Sequence, residues 1–136
     1  MPTLVIDANR VISALLRDGT TRTAILSTRS TLFAPEFLLE ELEVHWPELA
    51  RRAGIGLEDL RSLVRPILKR IEWIPADAYI AQMAAAKEAL GGVDPKDVPY
   101  LACALAVGAD AIWSHDLDFD RQSLVPRVRH PDAEIR

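Results

Sequence analysis

Leu4-Val5-Ile6-Asp7-Ala8-Asn9 opens the chain with a short apolar run that stops abruptly at a carboxylate. An uninterrupted run of this length fits a strand covered on both faces, as in a parallel sheet. Its polar end then falls at the carboxyl edge of that sheet, where open α/β folds collect their ligands. Ala111-Ile112-Trp113 repeats the pattern and ends in Ser114-His115-Asp116. Thr31-Leu32-Phe33-Ala34 and Glu72-Trp73-Ile74-Pro75 are further short strand candidates.

Helical signals fill the intervals. Val11 to Leu16 starts a helix that the Asp18-Gly19 pair closes, and Thr23-Ala24-Ile25-Leu26 continues helically. Pro35 suits the first turn of a helix from Glu36 to about Ala53, ended by Gly54 and Gly56. Leu57, Leu60, Val64, Ile67 and Ile71 recur at three- and four-residue steps, which predicts one buried helical stripe. Pro66 lies inside that stripe and is expected to kink or split the helix. Asp77 reads as the cap of a helix to about Leu90, ended by Gly91-Gly92. Asp94-Pro95-Lys96-Asp97 leads into an alanine-rich helix to Val107, closed by Gly108. Strands alternating with helices make βαβ units. The expected fold class is α/β, a small parallel sheet with helices on both faces.

The 136 residues suit one domain over 1–136. With 49% hydrophobic and 26% charged residues, the composition is that of a folded globular chain. Sixteen basic residues against 20 acidic ones give a net charge of -4, which argues against a wholly basic surface but leaves room for a local basic groove. One cysteine, Cys103, neither staples the fold nor makes a zinc cluster by itself. No apolar run approaches the roughly 18 residues of a membrane helix. Met1 to Asp7 lacks a basic stretch before its apolar run, so no signal peptide is expected there, and the expected location is cytoplasmic.

Two strand ends carry the carboxylates Asp7 and Asp116, and two helix starts carry Glu40-Glu41 and Asp97. Parallel neighbours would bring strand ends within roughly 5–10 Å. Carboxylates that close repel unless protonated or neutralised, and a divalent cation neutralises them. Hard ions such as magnesium and manganese prefer oxygen ligands, and the chemistry they support is metal-assisted phosphodiester hydrolysis. Asp97 is equally well read as a helix cap. Asp7 is harder to read that way, because a charge ending a buried run wants a partner.

These residues carry a resemblance. Val5 to Leu16 resembles the opening of a PIN domain, a family of metal-dependent ribonucleases. The likeness continues through Ala34 to Leu42, through Asp94 to Ala106, and through Ala111-Ile112-Trp113-Ser114-His115-Asp116-Leu117-Asp118-Phe119. The resemblance implies a catalytic quartet of Asp7, Glu41, Asp97 and Asp116, with Asp7, Asp97 and Asp116 holding Mg2+ or Mn2+. Glu41 is preferred over Glu40 because Leu42 follows it; adjacent helical residues point about 100° apart, so one of the pair faces elsewhere. Asn9 and Ser114 match polar positions beside the acids, and Asp118 is either an outer ligand or the cap of the next turn. Asp94 is either a further supporting acid or the start of a turn, and His115 reads as a solvent-facing loop residue.

Substrate contacts are less sharply marked. Arg61, Arg65 and Lys69 recur every four residues, as a row that follows RNA phosphates or as the solvated side of a helix. Arg10 and Arg17 lie nearer the acids. Trp46, Trp73 and Trp113 read as core or interface rather than as platforms for bases. By resemblance the activity is endonucleolytic cleavage of single-stranded RNA. Many relatives are VapC-like toxins of toxin–antitoxin pairs, which implies a small antitoxin partner and a homodimer. The alternative is a PIN-fold interaction module that binds RNA or protein without cleaving. A phosphate-receiving signalling domain also gathers acids at strand ends, but Lys69, Lys87 and Lys96 do not sit at a late strand end.

Overall fold

The structure is a computed structural model; it describes residues 2–16, 19–92 and 94–134, with the backbone alone for residues 9, 13, 15, 132 and 133. Among these, the strands are β1 (Thr3–Ile6), β2 (Thr31–Pro35), β3 (Ile71–Ile74), β4 (Ala111–Trp113) and β5 (Arg127–Val128). They form one sheet in the order β3-β2-β1-β4-β5, every neighbouring pair parallel. The helices are α1 (Ala8–Leu16), α2 (Gly19–Ser27), α3 (Glu36–Ala53), α4 (Leu57–Lys69), α5 (Ala76–Tyr79), α6 (Met83–Leu90), α7 (Val98–Val107) and α8 (Pro131–Glu134).

The path of the chain decides where a ligand can sit. From β1 the chain steps outward to β2 and β3, then returns past β1 to lay down β4 and β5. Crossovers between parallel strands are right-handed, so a reversal of direction moves the helices to the other face. The packing agrees: α1, α2, α3 and α4 touch one another, while α5 and α6 pack on α7. Between β1 and β4 the connections diverge to opposite faces, opening a crevice at the carboxyl ends.

The central strand is covered on both sides. Leu4, Val5 and Ile6 are fully buried, as are Leu101, Cys103 and Ala104 of α7, which lies against β1, β2 and β4. Each large aliphatic side chain buried this way contributes roughly 1.5–3 kcal/mol. Gly54 closes α3 at φ 71, where its N–H reaches the carbonyls of Ala50 and Arg51. A residue with a Cβ is strained in that left-handed conformation.

Several boundaries differ from the sequence reading. α1 begins at Ala8, directly after Asp7, rather than at Val11; Gly19 opens α2, and Arg17 and Asp18 lie outside the described residues. Leu60, Val64 and Ile67 form the buried stripe of α4 and Leu57 is half-buried, but Ile71 belongs to β3. Pro66 does not split α4: it sits on the exposed side, where water can take the carbonyl that loses its partner. Asp77 lies in the first turn of α5, whose cap position is Pro75, and a 3-10 turn at Ile80–Gln82 separates α5 from α6. β5 and α8 carry no apolar run that would announce them.

Candidate metal centre

Asp7 occupies the single residue between β1 and α1. Its N–H donates to the Trp113 carbonyl (3.1 Å), and its own carbonyl accepts the N–H groups of Arg10 (3.0 Å) and Val11 (3.3 Å). These bonds fix the backbone at the end of β1 against β4 while starting α1. The Asp7 carboxylate is 4% exposed and accepts a short hydrogen bond from the Ser114 hydroxyl. Ser114, itself fully buried, accepts the Asp116 N–H through Oγ (2.9 Å). Asp116 Oδ1 in turn accepts the Asp118 N–H (2.9 Å), capping the 3-10 turn Leu117–Arg121. One relay therefore orients the Asp7 and Asp116 carboxylates and fixes the backbone at Asp118.

The remaining acids come from helix starts. Asp97 ends the 3-10 turn Pro95–Asp97 ahead of α7, and Asp94 caps that turn by accepting the Lys96 N–H (3.0 Å). Glu41 reaches in from α3 and pairs with Lys96 Nζ at 3.9 Å. Asp7, Glu41, Asp94, Asp97, Asp116 and Asp118 line one cavity of about 240 Å³, walled by Phe37 and Tyr100. Carboxylate oxygens of Asp97, Asp116 and Asp118 lie within 4.8 Å of one another.

Crowding shows in the proton affinities. Burial, then the charges of Asp116, Asp7, Asp94 and Asp118, push the Asp97 pKa up to about 7. Burial, followed by the charges of Asp7 and Glu41, raises the Tyr100 phenol. Its hydroxyl is buried close to the Ala8 amide without a well-aligned hydrogen bond, and its ring meets Phe37 edge-on at 5.5 Å. An all-oxygen donor set with excess negative charge fits a hard divalent cation such as Mg2+ or Mn2+. A bound cation would make deprotonation of Asp97 favourable and relieve the repulsion.

Of the residues singled out in the sequence, Asp7, Glu41, Asp97, Asp116 and Asp118 share this cavity. Glu40, exposed on α3, does not line it. Ser114 is the link between Asp7 and Asp116, and the Asn9 side chain lies outside the described residues. Arg10 lines a neighbouring cavity instead. Arg61, Arg65 and Lys69 are elsewhere, along a groove of about 630 Å³ with Trp46, Leu68 and Trp73. The reason is topological: that groove is lined from α3, α4 and the edge strand β3, whereas the acids gather at the ends of β1 and β4. Lys96 and Tyr100 had gone unnoticed as site residues. Tyr100 follows Asp97 by three residues, the spacing that puts two helical side chains on one side.

A sequence model of the PIN domain family matches residues 5–125. Comparison with curated protein sequences finds no match. Among solved structures, the crystal structure of VapBC2 from Rickettsia felis, bound to a DNA fragment from their promoter, is similar with a TM-score of 0.68. The identity is 15%, over 93% of this chain and 97% of that one, so this likeness speaks for the fold. The family match runs from inside β1 to just before β5 and takes in all the acids of the cavity. The chain belongs to the PIN domain family.

Proposed function

We propose that this protein is a metal-dependent endoribonuclease that hydrolyses phosphodiester bonds of single-stranded RNA. The observation that carries the reading is the convergence of Asp7, Asp97, Asp116 and Asp118 on one cavity at the switch point of the sheet. Asp7, Asp97 and Asp116 would hold Mg2+ or Mn2+, with Asp118 beside them. When bound, such an ion lowers the pKa of a water and balances charge on the scissile phosphate. Ser114 orients the Asp7 carboxylate by donating to it and fixes the backbone that carries Asp116 by accepting its N–H. Asp97, whose pKa is pushed up to about 7 by burial and the neighbouring carboxylates, would be held as a carboxylate by the bound ion. Glu41, steadied by Lys96, completes the quartet as the acid nearest the cavity's α3 wall. Phe37 and Tyr100 give the cavity an apolar wall that strengthens the electrostatics inside it. The fold shared with VapBC2 supports a further step: the chain is the toxin of a toxin–antitoxin pair, restrained by a small antitoxin.

Cleavage of single-stranded RNA tests the reading. Added Mg2+ or Mn2+ should support cleavage and chelator should abolish it. Asp7→Asn and Asp97→Asn should each lose more than about 100-fold, since even partners behind metal ligands carry about 10–100-fold. Chelator-resistant cleavage, or full activity in both variants, would overturn the assignment. An interaction module would show no cleavage under any condition and no ion-dependent stabilisation.

A further inference from the structure

A second cavity of about 240 Å³ flanks the end of β4, and its chemistry is the reverse of the first. Arg10, Thr21, His115, Arg129 and His130 line it, over a floor that includes Trp113, and no carboxylate lines it among the described residues. The two cavities divide at a single stretch of backbone. Side chains alternate along extended chain, so Ser114 and Asp116 serve the acidic cavity while His115, between them, faces the basic one. At the start of α1, Asp7 and Arg10 part in the same way, one lining each cavity.

The far wall is held through its backbone groups. Glu134 accepts the backbone N–H groups of Arg129 (2.8 Å) and His130, and the Arg129 carbonyl accepts the Trp113 indole N–H (3.2 Å). Neither the Arg129 guanidinium nor either imidazole forms an ion pair among the described residues. The rings of His115 and His130 stand edge-on at 6.4 Å. Arg10, 8% exposed, directs Nη1 at the Thr21 hydroxyl at the back (3.5 Å). Planar guanidinium groups and imidazole N–H groups around a recess match the oxygens of a phosphate.

We propose that this cavity is a phosphate subsite, seating a backbone phosphate of the RNA strand next to the one cleaved, with Arg129, His115 and His130 as donors in front of Arg10. It rests on the ribonuclease reading and extends it, because a strand crossing the end of β4 meets both cavities. The acidic cavity repels the strand wherever no cation screens it, so a neighbouring anion site supplies the hold that the acids lack.

The test is binding of a fluorescently labelled single-stranded RNA oligonucleotide to the full chain in chelator, so that no ion-dependent cleavage intrudes. Wild type is compared with Arg129→Ala, His115→Ala and, as a charge control on the exposed side of α6, Lys87→Ala. The first two should each weaken binding by about 10-fold, and Arg129→Ala, which removes a full charge, should also flatten the salt dependence by about one unit of slope, while Lys87→Ala should shift binding less than about 2-fold. Inorganic phosphate should compete with RNA for wild type and lose that effect in Arg129→Ala. Ion-dependent melting shifts unchanged in the variants would show the fold and acidic cavity intact. Wild-type affinity and salt slope in Arg129→Ala and His115→Ala would overturn the subsite. So would phosphate binding that depends on Arg129 without any RNA binding, which would assign the cavity to a free anion, and so would protection of Arg129 by an acidic protein partner alone. Metal-dependent cleavage alongside unchanged binding would sink the subsite and spare the ribonuclease reading; Arg129-dependent RNA binding without cleavage would do the opposite.

Discussion

An aspartate ordinarily loses its proton near pH 4, whereas burial and the facing carboxylates keep Asp97 protonated up to about pH 7. Between those values the folded apo chain binds a proton at Asp97 that the unfolded chain does not. The stabilisation from this group is therefore complete below pH 4 and is lost as pH rises through 7. Asp97→Asn removes that titration, so melting curves in chelator should show the variant gaining on wild type from pH 4 to 8; parallel curves would mean that the acids are not crowded. Ser114→Ala should cost about 1.5–3 kcal/mol for a hydrogen bond to a charged group, and about 10–100-fold in cleavage as Asp7 and Asp116 lose their common anchor. Much of this was legible in the residues, because a carboxylate at the end of an apolar strand has few reasons to be there. The Glu40–Glu41 choice depended on the rotation of α3, and Tyr100 reads as one more core aromatic until its hydroxyl is seen beside the acids.

At the scale of elements, α4 shows how far periodicity carries. Its three- and four-residue steps identify Leu60, Val64 and Ile67 as the buried face. The same steps continue by accident into Ile71, because β3 begins with its own core residue four positions on. Ile67→Ala should destabilise by roughly 2–5 kcal/mol as a cavity opens against α3 and the sheet. Pro66→Ala, one residue away on the exposed side, should stabilise by about 1–3 kcal/mol by restoring a helical bond. Denaturant melts of the pair decide it; a loss from Pro66→Ala would mean that the proline shapes α4 rather than being tolerated by it. β5 was not readable, because two residues paired to β4 carry neither alternation nor length. Yet the chain leaving it carries Arg129 and His130 to the basic cavity, so the element hardest to foresee bears on binding.

Across the whole molecule, the order β3-β2-β1-β4-β5 turns four separated sequence segments into one acidic cavity, and places a basic cavity beside it. The net charge of -4 conceals this separation, so bulk composition excluded less than it suggested. No helix among the described residues is long and apolar enough to cross a membrane. A ligand bound only by the folded state stabilises it by mass action, about 2.7 kcal/mol at 100 times its dissociation constant. Titration of Mn2+ followed by thermal melting, on wild type, Asp97→Asn and Asp116→Asn, addresses the metal centre without requiring the right RNA. The account predicts that the melting temperature of wild type climbs with Mn2+ and saturates, while both variants respond at least 10-fold more weakly in concentration. No rise in wild type at millimolar Mn2+, or the same rise in all three proteins, would contradict it.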